Sequence, residues 1–258
     1  MEDGLKCAQP FIDAAMSATS TKPSKPIPAR ERLIVALDLR SADEAKAFVT
    51  TLGDAACFYK IGLELFMAGG YFELIDWLVA RGNKVFVDLK FFDVPETVQA
   101  AVRGLRNRGV TFATVHGNQA ILEAAGREKG EVKILAVTAL TSLDRGDLDD
   151  LGFQVDVEKL VLSRARRALE AGCDGVISSG LEAPALKREL GSRVLVVTPG
   201  IRPVENKPVD DQKRTVDVAQ AFANGADYIV VGRPIRQAAD PRAAALAVQK
   251  TISAAFPA

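Results

Sequence analysis

From Leu33 onward, short apolar runs alternate with longer amphipathic stretches. The runs are LIVALD (33–38), FYKIGL (58–63), KVFVDLK (84–90), TFATVHG (111–117), KILAVTAL (133–140), DGVISS (174–179), RVLVVTPG (193–200) and DYIVVGRPI (227–235). Nearly continuous Val, Ile and Leu with polar or turn-forming residues at the end is the pattern of strands buried on both faces. Between the runs, ADEAKAFVTTL after Ser41, PETVQAAVRGLRNRG from Pro95, VEKLVLSRARRALEAG from Val157 and TVDVAQAFANGA from Thr215 repeat apolar residues at helical spacing. Ser41 with Glu44 predicts a capping box, and Gly172 and Gly225 stand where helix C-caps belong. Eight strands separated by helices predict an α/β fold with a parallel sheet. At this length a single (β/α)8 TIM barrel is favoured, with a doubly wound open sheet as the structural alternative.

Residues 1–31 break this rhythm. A short apolar patch at Phe11, Ile12, Ala14, Ala15 and Met16 gives way to Ser, Thr, Lys and Pro in SATSTKPSKPIPARE. The composition predicts an N-terminal leader and semi-extended linker over 1–31, followed by the barrel over 32–258.

Composition narrows the chemistry. With 258 residues and 48% hydrophobic content the chain can bury a large core. Lys plus Arg equals Asp plus Glu at 33 each, so no global field draws it to nucleic acid or to an anionic membrane. A bound anion must then be held by local groups. Cys7, Cys57 and Cys173 have no metal-like spacing, and their odd number does not suit a disulfide framework, so a reducing cytoplasmic compartment is expected. His116 is the one histidine, which excludes clustered-His metal sites and any Ser-His-Asp triad that does not use it. The chemistry must lean on Asp, Glu, Lys and Arg. No apolar run is long enough to span a bilayer, and the N-terminus lacks the basic start and apolar core of a signal peptide.

In a barrel the active face lies at the C-terminal ends of the strands. Polar residues fall there repeatedly: Asp38 in the first run, Lys60 in the second, Asp88 and Lys90 in the third, His116 in the fourth, Thr141-Ser142 after the fifth, Arg202 after the seventh and Gly232-Arg233 in the eighth. So many charges on one rim would be costly for stability alone, which points to a site. The densest stretch is DLKFFDVPET (88–97). Asp88 and Lys90 at i and i+2 share a strand face, and Asp93 lies just beyond, where Pro95 ends pairing. Alone, this motif reads more readily as an ordinary ion pair at a strand end. The segment GIRPVENKPVDDQKR (200–214), with two prolines and no apolar periodicity, has the length of a lid. With Gly232-Arg233 it describes a phosphate site after strands seven and eight.

Taken together and in order, ALD (36–38), YKIG (59–62), DLKFFDVPET (88–97), TVH (114–116), LTS (140–142), TPGIRP (198–203), DDQKR (210–214) and VGRPI (231–235) resemble the orotidine 5'-monophosphate decarboxylases. The resemblance implies a homodimeric barrel, without metal or organic cofactor, that converts orotidylate to uridylate in de novo pyrimidine synthesis. It implies Lys90 as proton donor to C6 and Asp88 and the partner subunit's Asp93 as its flanking carboxylates. Asp38 and Lys60 would hold ribose hydroxyls, with Lys60 also aligning Asp88. Thr141 or Ser142 would hold the pyrimidine edge. Gln212, Arg233 and the Gly232 amide would grip the phosphate, with Arg202 in the closing loop. The partner's Thr97 would join its Asp93 in a shared site. HGNQA after the fourth run departs from the family, where small residues often follow the histidine. The rival within the same barrel group is a magnesium-dependent sugar-phosphate decarboxylase or aldolase. A rival of another class is a catalytically silent nucleotide-binding barrel.

Overall fold

The computed structural model describes residues 27–140, 145–150, 152, 154, 156–202 and 215–257. Most of the N-terminal leader, Thr141, Ser142 and Gln212 therefore lie outside the described residues. The strands are β1 Leu33–Ala36, β2 Phe58–Gly62, β3 Lys84–Phe91, β4 Val110–Val115, β5 Lys133–Val137, β6 Gly175–Ile177, β7 Leu195–Thr198 and β8 Tyr228–Val231. All neighbours are parallel, and β8 closes on β1, so the open-sheet alternative falls. Each strand lies within a run expected from the sequence, apart from one added residue at the β3 end and one at the β4 start, and most are trimmed at the ends.

The alternation along each strand separates two cores. Leu33, Val35, Tyr59, Ile61, Val85, Val87, Ala113, Val115, Ile134, Val176, Val196 and Ile229 face outward and pack with the helices in one large cluster. Ile34, Ala36, Phe58, Phe86, Phe112, Leu135, Val197, Tyr228 and Val230 fill the barrel interior. There the Phe112 ring lies 5.2 Å from Phe58 and 5.0 Å from Tyr228, centroid to centroid, a plug on which any site must rest.

The helices follow their local signals. Ser41 Oγ accepts from the Glu44 amide at the start of Ala42–Leu52, but Glu44 reaches back to the Arg40 amide rather than to Ser41, so half of the expected capping box forms. Pro95 opens Pro95–Arg103, where its missing N–H costs nothing. Asp156 caps Val157–Glu170 through the Glu158 and Lys159 amides. Gly172 and Gly225, at φ +86° and +97°, occupy the left-handed position just past their helices. The last apolar segment before β8 is shorter than expected, with its helix at Val218–Ala223.

At the N-terminal end of the barrel, two Lys–Asp pairs tie loops to strands. Lys129 Nζ meets Asp174 at 2.8 Å, and Asp174 accepts from the Ile134 amide. Lys187 Nζ meets Asp227 at 2.7 Å, and Asp227 accepts from the Val196 amide.

Candidate active site

Two residues beyond the interior core, on the same strand faces, the side chains become polar. Asp38 follows Ala36, Lys60 follows Phe58, Asp88 follows Phe86 and Thr114 follows Phe112. The register that fills the barrel with rings thus also aims these groups into its C-terminal mouth. They form an alternating ladder. Asp38 Oδ1 accepts from Lys60 Nζ at 2.9 Å, and Lys60 Nζ lies 3.4 Å from Asp88 Oδ2. Asp88 Oδ1 accepts from Lys90 Nζ at 2.8 Å and from Thr114 Oγ1 at 2.9 Å. Gly62 leaves room for this ladder, since a Cβ there would stand 3.3 Å from Lys60 Nζ.

Exposure decides what each charge can do. The side chains of Lys60 and Asp88 are each only 12% exposed, so each needs its opposite partners to remain charged. Burial pulls the Lys60 ammonium down, but Asp88 and Asp38 outweigh it, and its pKa is raised. Burial likewise pushes the Asp88 carboxyl up, but Lys60 and Lys90, with the hydrogen bonds from Lys90 and Thr114, hold it below its ordinary range. The Lys90 side chain is 36% exposed and reaches the open cavity. Its backbone is unusual: φ is +47°, a left-handed value rare outside glycine. Val87 pairs with Ala113 and Phe91 with Val115, so three residues of β3 stand opposite Thr114 alone, and the strand bulges there. The expected sharing of a face by Asp88 and Lys90 is therefore realised through a bulge.

The ladder lines a cavity of about 260 Å³. Its floor includes Ala36, Phe86, Val137, Ile177 and Val230, and its far side carries Pro199, Gly200, Arg202, Gly232 and Arg233. Of the residues singled out from the sequence, Asp38, Lys60, Asp88, Lys90, Arg202, Gly232 and Arg233 meet here. The base of the 200–214 segment is fixed by the bridge between Ile201 and Val216 and by the Arg202 amide donating to Val216 O at 3.0 Å. Arg236 Nη1 donates to Asp38 O, linking the turn after β8 to the ladder. Asp93 and Thr97 are exposed and do not line the cavity of this chain; Asp93 Oδ1 accepts from the Val94 amide at 2.6 Å. His116 stands beside the site with its ring 5.2 Å from Phe92, and burial, Arg164 and Lys90 lower its pKa. Thr114 stands within TVH, and the family resemblance assigns it no role. Its one sequence signal is a hydroxyl within the otherwise apolar FATV, at an inward position.

Among the described residues, no group of three or more His, Cys, Asp or Glu side chains could hold a metal ion. Within the ladder, the space between Asp38 and Asp88 already contains the Lys60 ammonium.

A closed parallel barrel whose C-terminal mouth carries interleaved ammonium and carboxylate groups beside a Gly-Arg turn defines an enzyme of the β/α-barrel class. Comparison with known proteins makes this specific. The sequence model of the orotidine 5'-phosphate decarboxylase / HUMPS family matches residues 31–248, and the chain belongs to that family. The orotidine 5'-phosphate decarboxylase of Methylococcus capsulatus is 68% identical over 233 residues, which cover 90% of this chain and 96% of the relative. That of Xanthomonas euvesicatoria pv. vesicatoria is 53% identical over 235 residues, with 90% and 96% covered. The crystal structure of orotidine 5'-phosphate decarboxylase from Lactobacillus acidophilus superposes with a TM-score of 0.76 at 36% identity, covering 86% of this chain and 99% of that one.

Proposed function

We propose that this chain decarboxylates orotidine 5'-monophosphate to uridine 5'-monophosphate in de novo pyrimidine synthesis. The observation that carries the reading is the Asp38–Lys60–Asp88–Lys90 ladder facing Gly232 and Arg233 across one cavity, in a chain 68% identical to a relative of that name.

The chemical problem is electrostatic. When the C6–carboxylate bond breaks, its electron pair stays on C6 in an in-plane orbital that the ring cannot delocalise. A fixed ammonium beside that carbon stabilises the developing charge and then supplies the proton. Lys90 takes this role; the amine left behind regains its proton from solvent. Asp88, itself aligned by Lys60, holds Lys90 in place together with the partner's Asp93, and Asp38 and Lys60 bind the ribose hydroxyls. Gly232, Arg233 and Arg202 take the phosphate with Gln212, while Thr141 or Ser142 meets the pyrimidine edge. The phosphate is remote from the reacting carbon, so its binding energy can be spent on orienting the substrate and excluding water at C6. Lys60, set between the two carboxylates, supplies the cationic charge that a metal would bring, which favours this reading over the magnesium-dependent one.

The proposed assembly is a homodimer in which Asp93 and Thr97 enter the partner's site. Supporting this, Asp93 sits between Phe92 and Val94, 68% and 62% exposed, and Leu63 and Met67 on the neighbouring β2 side are 59% and 79% exposed. An apolar rim of this kind around a charged residue is a surface suited to a second copy. The division into leader (1–31) and barrel (32–258), and a cytoplasmic location, complete the proposal; among the described residues no helix is long and apolar enough to cross a membrane.

The test is to incubate EDTA-treated protein with orotidine 5'-monophosphate and follow its ultraviolet absorbance, with phosphate-free orotidine alongside. Fast loss of the nucleotide and almost none of the nucleoside is expected. No loss, with activity appearing on a sugar phosphate plus magnesium, would overturn the reading.

A further inference from the structure

We infer that Thr114 is a positioning residue for the reaction, the clamp that sets the bulged backbone of Lys90 and the carboxylate of Asp88 with a single hydroxyl. The inference rests on the decarboxylase reading and adds to it a residue on a different strand from the ladder's own members.

Three observations meet at this side chain. Thr114 is fully buried. Its Oγ1 donates to Asp88 Oδ1 at 2.9 Å and accepts from the Lys90 amide, also at 2.9 Å. The direction of both bonds is forced, because a backbone N–H only donates and the Asp88 carboxylate only accepts. A hydroxyl is the smallest group that does both at once. Thr114 is also the one β4 residue opposite the three-residue excursion of β3, between the Val87–Ala113 and Phe91–Val115 pairs. The excursion removes the Lys90 amide from the ladder of strand pairing, and the threonine oxygen takes the place of the missing carbonyl.

The energetic consequence falls on Lys90. A lysine at φ +47° is in a sparsely populated conformation, which persists only where its surroundings impose it. Without the hydroxyl, the bulge loses the acceptor that fixes its amide. Asp88 keeps Lys90 Nζ on Oδ1 and Lys60 beside Oδ2 but loses the one neutral donor that fixes the tilt of its carboxylate against β4. The ammonium and its carboxylate can then drift together while the rest of the cavity stands. Valine has the shape of threonine but not its hydroxyl, and serine keeps the hydroxyl without the methyl.

The experiment compares Thr114→Val, Thr114→Ala and Thr114→Ser with the wild type, measuring kcat, KM, uridine 5'-monophosphate affinity and thermal midpoint. Thr114→Val is expected to lower kcat by about 10- to 100-fold, the scale of a small misplacement of a reacting group, while KM and uridylate affinity stay near wild type. Thr114→Ser should restore most of kcat. Thr114→Ala removes the same hydroxyl with less bulk and should show the same kcat loss if the valine variant does not fold. Wild-type kcat in the valine or alanine variant would overturn the inference, as would a serine variant as impaired as valine, which would assign Thr114 to packing alone. A wild type that does not turn over orotidylate would overturn the decarboxylase reading itself, and this inference with it.

Discussion

Lys90→Ala separates the proposed catalytic role of the ammonium from its role in the fold. In the fold, Asp88 loses one donor but keeps Thr114 at 2.9 Å and Lys60 at 3.4 Å. Since the Lys90 side chain is 36% exposed, its pairing with Asp88 is screened by solvent, and its loss should cost about 1 kcal/mol of stability or less. The variant should therefore fold and bind uridine 5'-monophosphate. In the reaction the same change removes two effects. Loss of a preorganised electrostatic contact costs about 100- to 1000-fold, and loss of a general acid about 100- to 10,000-fold. Together they set a fall in kcat of at least about 10,000-fold, or roughly 5.5 kcal/mol at 1.36 kcal/mol per factor of ten. The assay is loss of orotidylate absorbance at saturating substrate, with uridylate binding by calorimetry and the thermal midpoint as controls. A folded, ligand-binding Lys90→Ala protein with kcat within about tenfold of wild type would refute the proton-donor role.

Other expected outcomes follow from the same geometry. Asp93→Ala and Lys60→Ala subunits, each inactive alone, should regain activity when mixed and allowed to exchange, because one heterodimer site then receives both residues intact; a mixture that stays inactive despite exchange refutes the shared site. Asp88 has a lowered pKa, so its contribution to stability is present above the ordinary carboxylate value and lost as pH falls through the folded one. Lys60 has a raised pKa, so its contribution is complete below the ordinary lysine value and lost as pH rises through the folded one. The ladder's stabilisation should thus be flat between about pH 4 and about pH 10, and Lys60→Met should move the acid limb of thermal midpoint against pH upward; an unmoved limb would show that Lys60 does not hold Asp88. At the opposite end of the barrel, Asp227→Ala leaves Lys187 and the Val196 amide without their carboxylate and should cost about 2 kcal/mol by urea unfolding, with kcat unchanged; a large fall in kcat would contradict the separation of the two ends.

Much of this was legible in the chain because barrel physics writes itself locally. Strands buried on both faces are mostly apolar, so eight runs stood out, and the polar residues in or just after most of them marked the functional end. The inward column Phe58–Lys60 or Phe86–Asp88 could be read from alternation alone. What could not be read is what alternation breaks. The bulge at Lys90 carries no glycine to announce it, and the partnership of Thr114 with Asp88 spans 26 residues, set by register rather than by local pattern. Glu44 completed its cap on Arg40 rather than Ser41, a choice of side-chain rotamer that the capping motif does not encode. Asp93 is exposed on this chain, and its proposed place in a partner's site depends on a second copy, which no single-chain pattern contains.

The most direct measurement is turnover of orotidine 5'-monophosphate in D2O, with carbon dioxide quantified and the nucleotide product examined by NMR. Because ammonium protons exchange with solvent, a C6 carbanion quenched by Lys90 should give one carbon dioxide and one uridylate per substrate, with deuterium at C6. Loss of substrate without carbon dioxide, or uridylate carrying protium at C6 in D2O, would contradict it.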